Sequence, residues 1–353
     1  MKKPGTDVST LSCPIPLTDY PAVLLAHGGG GKLTQQLIKK MFLSSFSNPH
    51  LDPLHDGATL RLDGAQVAFT TDSYVVNPLF FPGGNIGSLA VHGTVNDLSM
   101  CGAHPLYLSA GFIIEEGLPM DDLWRIVVAM QEAATESGVT LVTGDTKVVD
   151  RGKGDGLFIN TAGIGSLQPG VAIHPDRAQP GDRILLNGPI ADHGIAIMSV
   201  REGLEFETTI ESDSAPLNGL VKEMLKASKN IRVLRDPTRG GVASALNEIA
   251  GQSGVGMQLR EDRILVREEV RGACELLGLD PLYIANEGKL IAIVPAGETD
   301  RILHAMHAHP LGIDGAVIGE VTASHPGVVT MKSSIGGTRV VDMLSGEQLP
   351  RIC

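Results

Sequence analysis

Acidic side chains recur in the first half of the chain where predicted strands and helices begin or end. Asp56 precedes a predicted strand, and Asp72 ends one. Asp97 lies beside Asn96 on a small, apolar helix, and Asp145 follows a further strand. A single carboxylate at a strand end is usually a turn or cap residue, but a carboxylate buried on an apolar helix needs a partner. Carboxylate oxygens around bound phosphates are the ligands that magnesium prefers, so these positions are candidates for such a site.

A run of glycines between His27 and Lys32 opens a predicted helix. Glycine lets backbone N–H groups converge on an anion, and the start of a helix adds a favourable dipole. The run is not a Walker A loop, because Leu33 stands where that motif requires Ser or Thr. Two interpretations therefore remain open, a phosphate-binding loop and a flexible hinge.

Two motifs in the second half of the chain place polar side chains just before predicted elements. Asp236 starts a Gly-rich turn that leads into a helix predicted over Ala243–Ala250. Glu287 lies in Asn286–Lys289, immediately before a predicted strand. Asp236 can be a helix cap and Glu287 a surface residue of a turn, so each has a structural alternative to a role in a site.

The sequence ends in Pro350–Cys353, and a thiol at this position has no following residue to pack against. The thiolate is the nucleophilic form of cysteine, and an accessible terminal thiol is a candidate carrier of a transferable group. A frayed end without function is the alternative. Prenylation does not fit, because it requires the cysteine to lie further from the end.

The other cysteines and the clustered histidines suggest no second site. Cys101 and Cys274 are expected to be small buried hydrophobic residues. With Cys13 and Cys353 they form no Cys-x-x-Cys pair, which disfavours a zinc site and a disulfide framework and favours a reducing cytoplasm. Three histidines near the end of a predicted helix are expected to be solvated: His304, His307 and His309.

The elements that must position these residues alternate between strands and helices, which predicts α/β domains. We expect a loose arm over 1–20, a first domain over 21–167, a second over 168–344 and a mobile tail over 345–353. A helix is predicted where Leu123, Ile126 and Met130 share one apolar face. Strands are predicted over Ala65–Thr71, Leu106–Ile114, Val139–Thr143, Leu157–Gly165, Arg183–Asn187, Leu290–Val294 and Ala316–Val321.

The composition of the 353-residue chain limits the possible partners. A length of this order predicts two domains. The formal net charge of -12 disfavours a nucleic-acid partner, which needs basic surface to neutralise phosphates. No signal peptide follows Met1, and no apolar run is long enough to span a membrane.

The order of the motifs resembles the superfamily of aminoimidazole ribonucleotide synthetase, selenophosphate synthetase and thiamine-monophosphate kinase. Within it, the chain is most similar to the carbamoyl dehydratase family of hydrogenase maturation factors, HypE. The Pro-Arg-Ile-Cys ending separates this family from its relatives. The motifs that carry the resemblance span nearly the whole chain: His27–Lys32, Asp56–Ala58, Thr70–Ser73, Val95–Ala103, Gly144–Lys147, Asp236–Gly241, Asn286–Lys289 and Pro350–Cys353.

The resemblance implies a two-domain fold like that of aminoimidazole ribonucleotide synthetase, whose first domain forms a shared β-barrel in a homodimer. It implies that ATP binds near the interface. Selenium chemistry is disfavoured, because no cysteine lies near the glycine run. The implied magnesium and phosphate ligands are Asp56, Asp72, Asp97 and Asp145, and the implied ATP-binding residues are Gly29, Gly30, Gly31, Lys32, Asn96 and Asp236.

The resemblance also implies a reaction in which a carboxamide on the sulfur of Cys353 is dehydrated to a thiocyanate. ATP is then consumed, Glu287 acts as the base, and Lys147 is the cation beside the oxygen or the transferred phosphoryl group. The implied partners are a HypF-type carbamoyl donor and an iron-carrying HypC–HypD-type acceptor, which receives cyanide for [NiFe]-hydrogenase. A small-molecule kinase or synthetase of the same superfamily is the alternative, and a non-enzymatic scaffold is a further one.

Overall fold

The computed structural model describes residues 23–203, 209–344, 349 and 351–353. The predicted arm, Cys13 and most of the predicted tail lie outside these residues. The described chain begins with a 3₁₀ turn at Leu25–His27, helix α1 at Lys32–Leu37, a π-helical turn at Ile38–Phe42 and helix α2 at Leu43–Phe46.

The first domain is built on a five-stranded sheet in the order β1-β2-β7-β5-β6. Its neighbouring strands are antiparallel except β5 and β6, which run parallel and are joined by helix α4. A parallel pair needs such a crossover connection. The elements are β1 Ala58–Leu62, β2 Ala65–Tyr74, the hairpin β3 Phe80–Phe81 and β4 Gly84–Asn85, α3 Ile86–Met100, β5 Ala103–Glu115, α4 Met120–Ser137, β6 Thr140–Val149 and β7 Leu157–Leu167.

Helix α3 forms the centre of this domain. Asn85 caps its first turn, accepting a hydrogen bond from the backbone N–H of Gly87 at 2.8 Å, while Ser88 completes a capping box. The helix packs against α4, β2 and β7, and 13 of its 15 residues are buried. A helix that is apolar on all sides is stable only inside a core. Gly87 permits the close approach of α3 to Ile126 of α4, since a Cβ there would collide with the Ile126 carbonyl.

The second domain contains a seven-stranded sheet in the order β14-β13-β10-β12-β8-β11-β9. Strand β11 is buried along its whole length because apolar side chains cover both faces of the sheet. The elements are β8 Arg183–Leu186, α5 Asp192–Glu202, α6 Asn218–Ala227, β9 Val233–Arg235, α7 Gly241–Ser253, β10 Gly256–Arg260, α8 Glu268–Leu277, β11 Ile291–Val294, α9 Thr299–His307, β12 Ala316–Thr322, β13 Val329–Lys332 and β14 Thr338–Val341; short 3₁₀ turns lie at Glu261–Arg263, Pro281–Tyr283, Ala296–Glu298 and Pro310–Gly312.

The predicted α/β fold with two domains is confirmed, but two functional candidates occupy different positions in their strands. Strand β2 continues through Asp72, which pairs with Thr161 of β7, and β6 continues through Asp145, which pairs with Gly111 of β5. Both strands are longer than predicted, because pairing with a neighbouring strand extends them past their apolar stretches. Among the described residues, no helix is long and apolar enough to cross a membrane.

Truncation of the core face of α3 should destabilise the first domain. Leu89 has no exposed surface, so Leu89→Ala removes buried methyl groups and leaves a cavity. We expect a loss of about 2–5 kcal/mol in the free energy of unfolding, measured by chemical denaturation. The control is Met120→Ala at the start of α4, where the side chain is 76% exposed. Equal losses for the two variants would contradict the central role of α3.

Candidate active site at the junction of the two domains

Three carboxylates converge between the domains. Asp56 precedes β1, Asp97 lies on α3 and Asp236 follows β9, yet one ligand oxygen of each lies within 4.8 Å of the others. The hydroxyl group of Thr70 on β2 donates toward Asp97 Oδ2 at 2.9 Å and toward the Asp56 carbonyl at 2.7 Å. We call Asp56, Asp97 and Asp236 the carboxylate cluster.

The carboxylate cluster carries more negative charge than its protein surroundings neutralise. Arg235 forms ion pairs with Asp56 and with Glu248. Burial, and then the negative charge of Asp236, raises the pKa of Asp97 well above its usual value. Burial and the charge of Asp56 raise the pKa of Asp236 to about 8. Both shifts arise because ionising neighbouring carboxyl groups in a poorly solvated environment is energetically unfavourable.

The cluster fits a divalent cation. Its ligands are hard carboxylate oxygens from three separate elements, which is the chemistry that magnesium selects. Asp56 Oδ2 is buried and accepts no hydrogen bond from the described residues. Asp72 lies close enough for its charge to raise the pKa of Asp97 and of Asp236, so its carboxylate adds to the same negative field.

Glu287 faces this field from the second domain. Its side chain is buried, and Oε1 has no hydrogen-bond partner among the described residues. Burial, followed by the charges of Asp236 and Asp72, raises its pKa well above the usual value. Its backbone N–H donates to Asp213 Oδ1 at 3.0 Å, which fixes the turn. Glu287 is therefore a buried carboxyl group with a high proton affinity on a fixed backbone.

Asn96 ties α3 to the second domain. Its amide nitrogen donates to the carbonyls of Glu287 at 3.0 Å and Ala215 at 3.1 Å, and its oxygen accepts from the Leu217 N–H at 2.7 Å. These bonds occupy both amide donors, so a contact with ATP phosphates requires one bond to break. The predicted role of Asn96 in ATP binding stays a prediction.

Cys353 lies inside the junction. The Val75 N–H donates to its carbonyl at 3.1 Å, the Asn77 N–H donates to the Arg351 carbonyl at 3.3 Å, and the Ile352 side chain is buried. We call Arg351–Cys353 the docked segment. Burial raises the pKa of the Cys353 thiol, and the charge of Arg239 offsets only part of this effect, so the docked position disfavours the thiolate. The predicted mobility of residues 345–353 stays a prediction.

A cavity of about 170 Å³ joins Cys353 to the glycine run. Gly28, Gly29 and Arg239 line it, and Arg239 Nη1 donates to the Gly28 carbonyl at 3.0 Å. Gly30 has a φ of +74° and lies so close to the Arg239 backbone that a Cβ would collide with it. Glycine at this position therefore allows the run to pack against the turn that follows Asp236.

The rest of the glycine run starts α1. Gly31 is its N-cap residue, and Lys32 follows as the first helical residue. The Lys32 ammonium pairs with Asp342 at 2.6 Å on the surface. Their predicted roles in binding ATP stay predictions.

Asp145 and Lys147 lie elsewhere on the first domain. Both are exposed on β6, where they pair with each other. Strands β5 and β7 separate β6 from β2, so the described chain does not bring Asp145 to the carboxylate cluster. A cavity of about 420 Å³ on this face is lined by both residues and by Ser73 and Asn160. Their predicted roles stay predictions.

Several residues that shape the site are not among the predicted ones. Arg235 and Arg239 flank Asp236 in the sequence, and this proximity to a candidate carboxylate indicates that they could pair with it. Thr70 was part of a recognised motif but received no role. Asp213, which accepts a hydrogen bond from the Glu287 backbone and pairs with Lys289 at 3.0 Å, belongs to no motif that the sequence indicates.

Cys101 and Cys274 are buried, as predicted.

Removal of divalent cations should make stability fall with rising pH. Asp236 has a higher pKa in the folded than in the unfolded state, so it stabilises the fold when protonated, and this contribution is lost as the pH rises from about 4 toward 8. With a chelator present, Asp236→Asn should reduce this slope, which for one group is at most about 1.4 kcal/mol per pH unit. Unfolding by urea across this range measures it, with the exposed Asp121→Asn as control. An unchanged slope in Asp236→Asn would contradict the assignment.

Comparison with known proteins identifies the family. Residues 54–167 match the N-terminal domain of AIR synthase related proteins, and residues 179–332 match the C-terminal domain. The chain is 59% identical over 332 residues to the carbamoyl dehydratase HypE of Azotobacter vinelandii, covering 94% of this chain and 97% of that protein.

Solved structures agree with this similarity. A HypE–HypF complex contains a chain that is 50% identical, with a TM-score of 0.83 and coverage of 87% of this chain and 99% of that one. Hydrogenase maturation protein HypE in complex with ATP is 52% identical, with a TM-score of 0.79 and coverage of 94% and 100%. The resemblance seen in the motifs is thereby confirmed, and the chain belongs to the carbamoyl dehydratase HypE family of the AIR synthase related proteins.

Proposed function

We propose that this chain is an ATP-dependent carbamoyl dehydratase of hydrogenase maturation, which converts a carboxamide on Cys353 into a thiocyanate. The observation that carries the proposal is the position of Cys353, which lies in a cavity with Arg239 and within the electrostatic field of Glu287 and Asp72. A small-molecule kinase of the same superfamily leaves this partly buried thiol without a role.

The carboxylate cluster and Asp72 are proposed to hold magnesium. The metal supplies charge neutralisation for the phosphates of ATP. Gly28 and Gly29 line the cavity beside Arg239. The glycine run and Lys32 are proposed to contact the nucleotide. Binding of ATP by a relative that is 52% identical supports this arrangement.

The reaction requires a better leaving group than an amide oxygen. The carboxamide oxygen on Cys353 attacks the γ-phosphoryl group of ATP, and ADP leaves. Arg239 and Lys147 are proposed to stabilise the charge that develops on the transferred group. Glu287 accepts a nitrogen proton as the C–O bond breaks, the oxygen departs with phosphate, and a C≡N bond remains. Glu287 takes one nitrogen proton and the departing phosphate takes the other, so the two protons and the oxygen together account for the elements of water.

The high proton affinity of Glu287 suits this role. Its pKa is raised by burial and by the negative charges of Asp236 and Asp72. Neutralisation of these carboxylates lowers that repulsion while burial remains, so the pKa of Glu287 falls when the site is loaded. A general base is most effective when its pKa lies near the operating pH.

A homodimer is proposed to complete the site. Within the part of the chain that the structure describes, strand β6 pairs only with β5, and nine of its ten residues are exposed, including Val142 and Val148. An exposed strand edge with apolar side chains is a template for pairing with another strand. Since Asp145 and Lys147 lie on this strand, we propose that each chain supplies them to the site of its partner.

The proposed partners follow from the chemistry of the thiol. A HypF-type carbamoyl donor loads Cys353, and the HypE–HypF complex of a relative supports this assignment. An iron-carrying HypC–HypD-type complex is proposed to receive the cyano group. These exchanges are proposed to take place in the cytoplasm.

Glu287→Gln should separate ATP binding from dehydration. Glutamine keeps the size of the side chain but cannot accept the nitrogen proton. We expect the variant to bind ATP and to accumulate carbamoylated Cys353, whereas the parent protein loses the mass of one water from this residue after ATP is added. Mass spectrometry of the C-terminal peptide measures the change. The control is Glu132→Gln on the exposed side of α4; normal dehydration by Glu287→Gln would remove Glu287 from the role.

Mixed dimers should reveal whether Lys147 acts on the partner's site. Lys147→Ala and Glu287→Gln are each expected to be inactive alone. Within a mixed dimer, one site combines an intact Glu287 with an intact Lys147 from the other chain, so dehydration should return. Thiocyanate formation after the variants are mixed and re-equilibrated is the measurement. If both variants are inactive alone and mixing restores nothing, the assignment in trans is wrong.

A further inference from the structure

The docked segment is held by polar contacts on its backbone as well as by burial of Ile352. His193 Nε2 lies 2.9 Å from the Ile352 carbonyl, and Arg201 Nη2 donates to the Arg351 carbonyl at 2.8 Å. The Arg351 side chain pairs with Asp155 and donates from Nε to the Val75 carbonyl at 3.0 Å. Arg351 itself has a φ of +53°, an unfavourable conformation for a non-glycine residue that these contacts must stabilise.

The surroundings of His193 define its tautomer. A carbonyl can only accept, so Nε2 must carry the proton that is donated to Ile352. Nδ1 then accepts from the Ser212 hydroxyl at 2.8 Å, and the same hydroxyl oxygen accepts from the Ser214 N–H at 3.1 Å. Burial lowers the pKa of His193, which favours this neutral form. The ring is also fixed edge-on against Phe81, with 5.6 Å between centroids.

The loop that contains Ser212 reaches the proposed base. Asp213, the next residue, accepts from the backbone N–H of Glu287 at 3.0 Å. The Ser212 N–H donates to the Pro82 carbonyl of the first domain at 2.8 Å. One short loop thus fixes both the base and the imidazole that contacts the docked segment.

We propose that His193 is a positioning residue that, together with Arg201, latches the docked segment and so determines how often Cys353 leaves the cavity. While latched, the thiol is only partly exposed and desolvation raises its pKa, which makes it a poor nucleophile. Loading by a carbamoyl donor therefore takes place with the latch open, and closure returns the loaded sulfur to the site. The inference rests on the proposed function for its purpose but not for its test, because opening is measurable without ATP or a donor.

The test is the rate at which N-ethylmaleimide labels Cys353, measured by mass spectrometry on the peptide released by cleavage after Glu347. The reagent reacts with the released thiol, so the rate reports the open fraction. His193→Leu removes the donor, and we expect labelling to accelerate about fivefold to tenfold, the effect of one lost hydrogen bond. His193→Gln supplies an amide donor in a similar place and should restore much of the parent rate.

A matched control exists in His92, another buried histidine beside the same loop. Its Nδ1 lies 3.0 Å from the Ser214 hydroxyl, and the structure gives it no contact with the docked segment. His92→Leu should label at the parent rate. A parent-like rate in folded His193→Leu, or an equal acceleration in His92→Leu, would overturn the proposal.

A surface variant covers the case in which His193→Leu does not fold. Arg201 is at the end of α5 and only half-buried, so Arg201→Gln should fold and still accelerate labelling by loosening Arg351. No acceleration in Arg201→Gln would overturn the role of the latch. Because neither ATP nor a carbamoyl donor is present, these outcomes are independent of whether dehydration occurs.

Discussion

Asp56, Asp97 and Asp236 point into one small volume, and their mutual repulsion governs the chemistry of the domain junction. Outside a protein these groups would separate. Here each is fixed by a different element, so the repulsion is balanced by Arg235, by bound protons and, as proposed, by a divalent cation. Burial raises the proton affinity of Glu287, and the same field of negative charge adds to this effect. The proposed cation site and the proposed base therefore share part of their physical origin.

That arrangement depends on a rigid joint between the domains. Helix α3 is buried on nearly all sides, which leaves it little freedom to move. Asn96 on this helix bonds to the backbone of Glu287, Ala215 and Leu217 in the second domain. Buried polar networks are strong when every member is satisfied. The network fixes the backbone of Glu287, the proposed base, against the helix that carries Asp97.

The docked segment places the proposed substrate carrier, Cys353, at this junction. Ile352 packs in the core of the first domain while its carbonyl bonds to His193 of the second. A thiol held in this way has restricted access and a raised pKa, and both lower its reactivity. Its chemical use therefore depends on the balance between docking and release, and the residues that set this balance are far from Cys353 in the sequence.

The sequence by itself determined the elements and the family. Periodicity located the central strands and helices. The motifs from the glycine run to Pro350–Cys353 indicated the family, because residue types and their order along the chain can be read without coordinates. Sequence also selected Asp56, Asp97 and Asp236, which do meet. It could not show that Asp145 lies apart from them, that Asp213 supports Glu287, or that His193 contacts Ile352. These facts depend on strand order and on contacts between residues distant in the chain, which only tertiary packing decides.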